Sequence, residues 1–130
     1  MKILVKKVGE PCEVKEVEKL ELEDMQELVG GLVECMRIDF GVDDYPVFAD
    51  VWLNEEGKIN NLNPNFALFN EDGIVDVVVG DVFIADSRDG ETIGLSDEQA
   101  KVIPQVFDIL HANFHKNDDD SFYPISLIAV

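Results

Sequence analysis

Apolar and polar positions near the start of the chain repeat with the period of two short strands. Residues 2–8 (KILVKKV) contain a short apolar run suited to an inner strand, and residues 12–17 (CEVKEV) alternate small or apolar with charged side chains. The segment 9–11 (GEP) between them has the composition of a turn. The pattern therefore predicts an antiparallel hairpin.

The period then changes to that of a helix. Apolar side chains fall on one helical face and carboxylates on the other, and Gly30 and Gly31 end the pattern. One of these glycines is expected in the left-handed conformation that closes helices. The apolar positions of this helix are Leu22, Met25, Leu28 and Val29.

The middle of the chain is predicted to contain two strands, over residues 32–38 and 47–53, joined by a loop rich in Gly, Asp and Pro. Residues 54–58 (NEEGK) form a turn with the glycine, Gly57, in the positive-φ position. Residues 60–69 (NNLNPNFALF) are predicted to be a loop with a short helical turn, because a proline suits the first helical position.

Later segments predict β-structure and one long helix. Residues 74–86 contain two β-branched runs divided by Gly80, a pattern of a strand with a turn or bulge. Residues 89–90 (Asp-Gly) are a hairpin signal. Ser96 and Gln99 fit a capping box that starts a helix with a wide apolar face.

Two features shape the end of the chain. Pro104 falls inside the second helix and is expected to kink it unless the helix restarts there. Residues 124–130 (PISLIAV) predict a closing strand. The order of elements favours an α+β fold, a mostly antiparallel sheet with two helices packed on one face. No internal repeat or linker divides residues 1–130, so a single domain is expected.

The composition adds a strong charge to this fold. The chain has 28 Asp and Glu against 10 Lys and Arg, a formal net charge of −18, yet it is 46% hydrophobic. Disorder requires low hydrophobicity together with high charge, so a folded body with a negative surface is expected. Residues 1–37 hold six basic and nine acidic residues, and residues 38–130 hold four and nineteen.

This charge limits the possible partners. Direct nucleic-acid binding is disfavoured because phosphate contacts need clustered Lys and Arg, and anionic membranes are disfavoured for the same reason. The remaining partners are basic proteins, cations or a second copy of the chain.

The sequence also predicts the location of the protein and the state of its cysteines. No stretch approaches the roughly 20 apolar residues of a membrane span, and the first residues do not form a signal peptide, so a cytoplasmic protein is expected. Cys12 and Cys35 do not form a CxxC pair and are expected to be free thiols. Cys35 lies in an apolar run and is predicted to be a buried core residue.

Three segments and the start of the second helix, in this order, resemble a small family of unknown function. The segments are MQELVGGLVE (25–34), LNEEGKINNLNPN (53–65), VVVGDVFIA (77–85) and IGLSDEQ (93–99). The family occurs in bacteriophages and mobile elements and in the genomes of their mainly Gram-positive hosts. The resemblance covers roughly residues 2–107 and implies no chemistry, so it indicates provenance rather than mechanism. The matching residues are Leu28, Val29, Gly30, Gly31, Glu34, Asn54, Glu55, Glu56, Gly57, Lys58, Leu62, Pro64, Asn65, Gly80, Asp81 and Phe83.

The most concentrated polar signal is the segment 54–65. Amide side chains mounted on a rigid sheet are typical of recognition loops. The alternative is structural, because Asn and Gly are good turn formers. The candidate binding residues in this segment are Asn54, Glu55, Glu56, Lys58, Asn61, Asn63 and Asn65.

The stretch 40–52 (FGVDDYPVFADVW) mixes aromatic and acidic residues, a combination typical of protein interfaces. Phe48 and Trp52 are expected in the core of a strand. Tyr45, beside a proline in a loop, is the better interface candidate. The candidate binding residues here are Asp43, Asp44 and Tyr45.

Catalytic and metal signals are weak. His111 and His115 are four residues apart on the second helix, but a third ligand is missing and two such residues arise easily by chance. Residues 86–91 have the wrong ligand spacing for a calcium loop. The sequence shows no Gly-rich phosphate loop and no nucleophile elbow, so neither an enzyme, a metal site nor a cofactor is expected.

Two functional hypotheses remain. The first is an interaction protein that binds a basic site on a host protein, with carboxylates imitating nucleic-acid phosphates. The second is a small-ligand or nucleotide-binding module that uses the Asn-rich segment and Gly80-Asp81, with a homodimer junction as one place for its pocket. A plainer use of the charge is solubility.

Overall fold

The computed structural model describes residues 1–41, 45–70, 73–115 and 126–129, and these residues form nine strands and two helices. In chain order the elements are β1 (Lys2–Lys6), β2 (Glu13–Glu16), α1 (Leu22–Val29), β3 (Val33–Asp39), β4 (Phe48–Asn54), β5 (Pro64–Asn70), β6 (Gly73–Val79), β7 (Val82–Arg88), β8 (Glu91–Ile93), α2 (Asp97–His115) and β9 (Ser126–Ala129).

The larger sheet is antiparallel throughout. Its strands lie in the order β2-β1-β7-β4-β3, and β8 forms a hairpin with the far end of β7. β7 is therefore the central strand, with β1 on one side and β4 on the other. Its apolar run VFIA is completely buried, as expected of a strand covered on both faces.

The two helices cover opposite faces of this sheet. Successive side chains on a strand point to opposite faces. Val82 and Ile84 belong to the core that contains the apolar residues of α2, whereas Phe83 and Ala85 belong to the core that contains those of α1. The α+β class, the two helices and the mostly antiparallel pairing are confirmed. The expectation that both helices share one face is corrected by this alternation.

A second sheet of three strands, in the order β6-β5-β9, completes the α2-side core. β5 pairs antiparallel with β6 and parallel with β9. Phe66, Leu68 and Val78 from this sheet pack in the same core as α2, and the rings of Phe66 and Phe107 meet edge to face at 5.1 Å.

The local predictions are confirmed where turn and cap chemistry decides the structure. Gly30 ends α1 with φ of 77°. Asp89 and Gly90 both have positive φ, 53° and 82°, as a tight hairpin turn requires. Ser96 and Gln99 form the capping box. The Gln99 backbone N–H donates to the Ser96 hydroxyl at 3.1 Å, and the Gln99 side-chain oxygen accepts from the Ser96 backbone N–H at 2.7 Å.

The middle of the chain differs from the prediction. The segment predicted as a loop, 60–69, contains most of strand β5. The two runs around Gly80 are separate strands, with Gly80 at φ 78° between them. Asn61, and not Gly57, takes the positive φ of the turn. Gly57 is needed for close packing, because an added Cβ would lie 2.9 Å from Val79.

Two burial predictions are also corrected. Cys35 is exposed, because it lies on the edge strand β3 beyond the cover of α1. Phe48, at the start of β4, is 48% exposed, whereas Trp52 is partly buried and stacks on Phe83 as expected of a core residue.

Helix α2 runs through Pro104 as one element. None of the helices in the described ranges is long and apolar enough to cross a membrane.

The burial of β7 predicts a large difference between two isoleucines. Replacing the fully buried Ile84 with alanine is expected to lower the free energy of unfolding by about 2–5 kcal/mol, because it leaves a cavity in the central strand. Ile74→Ala is the matched control: Ile74 is 65% exposed, so its effect should stay within about 0.5 kcal/mol. Urea titrations followed by the fluorescence of Trp52 measure both values. Equal losses would contradict the assignment of Ile84 to the core.

Candidate functional site

Asn54 joins the Asn-rich segment to the end of α1. Its side chain is buried, with Nδ2 donating to the Val29 carbonyl at 3.3 Å and Oδ1 accepting from the Glu56 N–H at 2.8 Å. Gly31 lies so close that an added Cβ would be 2.8 Å from Nδ2. The contacts of Asn54 are thus made within the fold.

Asn65 has a similar role at the other end of the segment. It is fully buried, and its Nδ2 donates to the carbonyls of Lys6 and Gly80 at 2.8 Å each. Its Oδ1 accepts from the buried Lys6 Nζ at 3.0 Å, and that ammonium also donates to the Lys7 carbonyl at 3.0 Å. Burial lowers the pKa of Lys6. Asn65 therefore fastens β5 to β1 and to the turn between β6 and β7.

The other candidates of this segment lie at the surface. Lys58 forms an ion pair with Asp76 of β6, and its hydrogen bond holds the pKa of that carboxyl below its usual value. The main chain of Asn63 is tied to the sheet, because its carbonyl accepts from the Gly80 N–H at 2.8 Å. The side chains that stay exposed are those of Glu55, Glu56, Lys58, Asn61 and Asn63.

The aromatic stretch forms a more ordered surface. Tyr45 is 61% exposed, and its hydroxyl donates to Glu98 Oε1 in the first turn of α2 at 3.0 Å, which raises the pKa of Tyr45. The guanidinium of Arg37 lies 5.7 Å from the centre of the Phe48 ring, within cation–π distance. Asp43 and Asp44 lie outside the described residues.

An ion network beside Phe48 fixes this surface. Arg37 Nη1 contacts Asp50 Oδ1 at 2.9 Å and Asp86 Oδ1 at 3.2 Å. Gln99 Nε2 donates to Asp86 Oδ2 at 2.9 Å and to the Phe48 carbonyl at 2.7 Å. The network joins β3, β4, β7 and α2. We call the group Arg37, Tyr45, Phe48, Asp86 and Glu98 the aromatic–acidic patch; all of them are exposed except the half-buried Asp86.

The titration behaviour of the network follows from its contacts. The hydrogen bond that Arg37 donates to Asp50 raises the pKa of Arg37, so the guanidinium stays charged. Burial acts to raise the pKa of Asp86, but hydrogen bonds from Gln99, the Ser87 backbone and Arg37 together hold it below its usual value. Both partners are thus charged at neutral pH, and the network persists there.

Sequence reasoning found Tyr45 but missed the other members of the patch. Gln99, which supports the patch, was predicted only as a capping residue. Its contacts with β4 and β7 join residues that are far apart in sequence, so a local pattern does not reveal them. Arg37 and Asp86 lie on predicted strands, where alternation gave their faces but not their neighbours. The order of the strands in the sheet decides which of these residues become neighbours, and the sequence pattern does not give that order.

The described residues offer little for covalent or metal chemistry. Burial raises the pKa of the Cys12 thiol to about 12, and partial desolvation together with the Asp50 carboxylate raises that of the exposed Cys35 thiol to about 11. Neither therefore forms the nucleophilic thiolate readily. Within the described ranges, no group of three or more His, Cys, Asp or Glu is placed to hold a metal ion. The side chains of His111 and His115 lie outside the described part of the structure.

Comparison with known proteins identifies the family. The family model of a domain of unknown function, DUF3846, matches residues 1–110, and the chain belongs to this family. No curated protein and no solved structure matches the chain.

The geometry predicts different roles for two asparagines. Asn65→Ala is expected to destabilise the protein by about 3 kcal/mol, because it removes three buried hydrogen bonds, two to main-chain carbonyls and one of the two made by the Lys6 ammonium. Asn63→Ala, at an exposed side chain of the same segment, should change the free energy of unfolding by about 0.5 kcal/mol or less. Urea unfolding of the two variants tests this, and a neutral Asn65→Ala would contradict the fastening role.

The buried Lys6 predicts a stability that rises at alkaline pH. The pKa of Lys6 is lower in the folded state than in the unfolded chain, where it is near 10.5. Between these two values the unfolded chain binds more protons, so the free energy of unfolding increases with pH. The wild-type protein should therefore gain stability relative to Lys6→Met as pH rises through this window.

Urea titrations at a series of alkaline pH values measure that difference. Lys101→Met, at an exposed lysine, is the control and should show no such trend relative to wild type. A constant difference between wild type and Lys6→Met would show that the ammonium is not destabilised by burial.

Proposed function

We propose that this member of the DUF3846 family is a non-catalytic interaction protein that binds a basic site on a host protein in the cytoplasm. The observation that carries the proposal is the aromatic–acidic patch. Tyr45 and Phe48 are exposed, yet both are held: the Tyr45 hydroxyl donates to Glu98, and the Phe48 ring lies against the Arg37 guanidinium while its carbonyl accepts from Gln99. Aromatic side chains fixed in this way lose little entropy on binding.

The charge of the chain supports a basic partner. Even if each of the 10 Lys and Arg paired with one of the 28 carboxylates, 18 carboxylates would remain unpaired. An exposed carboxylate at the patch, Glu98, can pair with Lys or Arg of a partner, and Tyr45 and Phe48 can stack on the side chains of such residues. The field of the remaining carboxylates speeds encounter with a basic surface.

The resemblance to phage and mobile-element proteins suggests which kind of basic surface this protein binds. Such elements benefit from blocking host proteins that act on DNA, and the DNA-binding groove of such a protein is a basic surface. A row of carboxylates can occupy the positions of phosphates in that groove. Under this proposal the protein is a nucleic-acid mimic, and binding excludes duplex DNA from the partner.

The small-ligand alternative is less favoured by the Asn-rich segment. Two of its candidate amides, Asn54 and Asn65, are engaged in buried hydrogen bonds within the fold. Its cation, Lys58, is paired with Asp76 and so is not free to meet a phosphate. An interaction surface therefore accounts for more of the geometry than a nucleotide site at this segment.

The proposal predicts that the two exposed aromatic residues are hot spots. A Tyr45→Ala/Phe48→Ala variant should bind the partner about 30-fold more weakly, because truncation of a hot spot costs about 2 kcal/mol. The partner is captured from host lysate with the wild-type protein, purified, and titrated with each variant. Leu22→Ala/Leu32→Ala, at two other exposed apolar positions, is the control and should bind like wild type.

Two further results decide the outcome. The affinity should fall steeply between 50 and 200 mM salt, as expected of binding through many ion pairs, and the partner should release bound duplex DNA when the protein is added. Equal binding by the aromatic variant, indifference to salt, or recovery of no basic protein would contradict the proposal. Retention of DNA in the complex would exclude mimicry.

A further inference from the structure

A groove of about 600 Å³ lies between α1 and the strands β1 and β2. The helix packs on β3, β4 and β7. On the same face Ile3 and Val5 of β1 are buried in the α1-side core, whereas β2, at the edge of the sheet, is exposed along its length.

The groove has an apolar floor. Val17, Leu20 and Leu28 are partly buried there and pack against the same α1-side core as Val5. Trp52 belongs to this core as well. The residues lining the groove are Val5, Lys7, Glu13, Val14, Lys15, Val17, Lys19, Leu20, Asp24, Glu27, Leu28 and Asp81.

The charged groups of the groove are not equally available. Asp24 Oδ2 accepts from the Glu21 N–H, and Asp81 Oδ1 accepts from the Val8 N–H, each at 2.9 Å. Lys19 forms an ion pair at 3.0 Å with the carboxylate of Glu21.

Lys7 and Lys15 differ from these groups. Among the described residues neither ammonium has a hydrogen bond or an ion pair, although the chain holds 28 carboxylates. The two remaining carboxylates of the lining, Glu13 and Glu27, are exposed. Two available cations therefore stand above an apolar floor.

We infer that this groove binds a small amphipathic anion, a molecule with an apolar body and one anionic head such as a medium-chain carboxylate. The apolar body lies on Val17, Leu20 and Leu28, and the head pairs with Lys7 and Lys15. A volume near 600 Å³ suits a ligand of this size. Distant carboxylates do not prevent binding, because salt screens their repulsion beyond about 10 Å. The nearby Glu13 and Glu27 are exposed, so water weakens their repulsion of the anionic head.

The test uses the fluorescent probe 1-anilinonaphthalene-8-sulfonate, which combines an aromatic body with one sulfonate. The folded wild-type protein is expected to bind one probe per chain, with energy transfer from Trp52, and decanoate should displace it. A Lys7→Gln/Lys15→Gln variant should bind about tenfold more weakly, because each exposed ion pair contributes modestly. Lys7→Arg/Lys15→Arg should retain binding.

Arg88→Gln/Lys101→Gln is the matched control, since it removes two exposed cations that do not line the groove. It should bind the probe like wild type, and urea titrations should show that all variants are folded. Equal binding by Lys7→Gln/Lys15→Gln and wild type would overturn the inference. Failure of decanoate to displace the probe, or the absence of saturable binding, would overturn it as well. Uncharged N-phenyl-1-naphthylamine has no anionic head and should bind these two proteins equally.

Discussion

The structure depends on the alternation of side chains along the central strand. Residues 82–85 supply two side chains to the core under α1 and two to the core under α2 and the small sheet. A chain with a net charge of −18 repels itself, and this repulsion favours expansion. Burial on both faces of one strand opposes it, because each apolar side chain contributes about 1.5–3 kcal/mol when it is removed from water. The charge is tolerated because, among the described residues, the one buried carboxylate, Asp50, is paired with Arg37.

A second constraint fixes the small sheet to the large one. The Lys6 ammonium donates to the Asn65 side chain and to the Lys7 carbonyl, and the Asn65 side chain donates to the carbonyls of Lys6 and Gly80. A buried ammonium is costly unless it is hydrogen-bonded, and a buried amide without partners is costly as well. These contacts align β5 with β1 and with the turn before β7, so the small sheet reaches the α2-side core in a defined position.

The same contacts explain what could be predicted from the sequence. Turns and caps depend on neighbouring residues, so Gly30, Asp89-Gly90 and Ser96–Gln99 were predictable from local chemistry. Strand β5 was not, because Asn65 and its neighbouring proline suggest a loop until the distant partners of the amide are known. The faces chosen by the helices and the exposure of Phe48 depend on strand order, which periodicity does not give. Of the patch, only Tyr45 had a local signal.

The distribution of charge follows from the architecture, and this limits what net charge can say about function. Cores on both sides of the large sheet leave sheet edges, outer helix faces and turns as the places for carboxylates, so any acid-rich sequence with this fold has a negative surface. A binding site needs a further property, which is fixed geometry. Tyr45 has it through its hydrogen bond to Glu98, and Phe48 through the Arg37 guanidinium beside its ring and the Gln99 contact to its carbonyl. Arg37 is held in turn by Asp50 and Asp86. Side chains held in one arrangement before binding select a partner by shape, whereas diffuse charge selects only by sign.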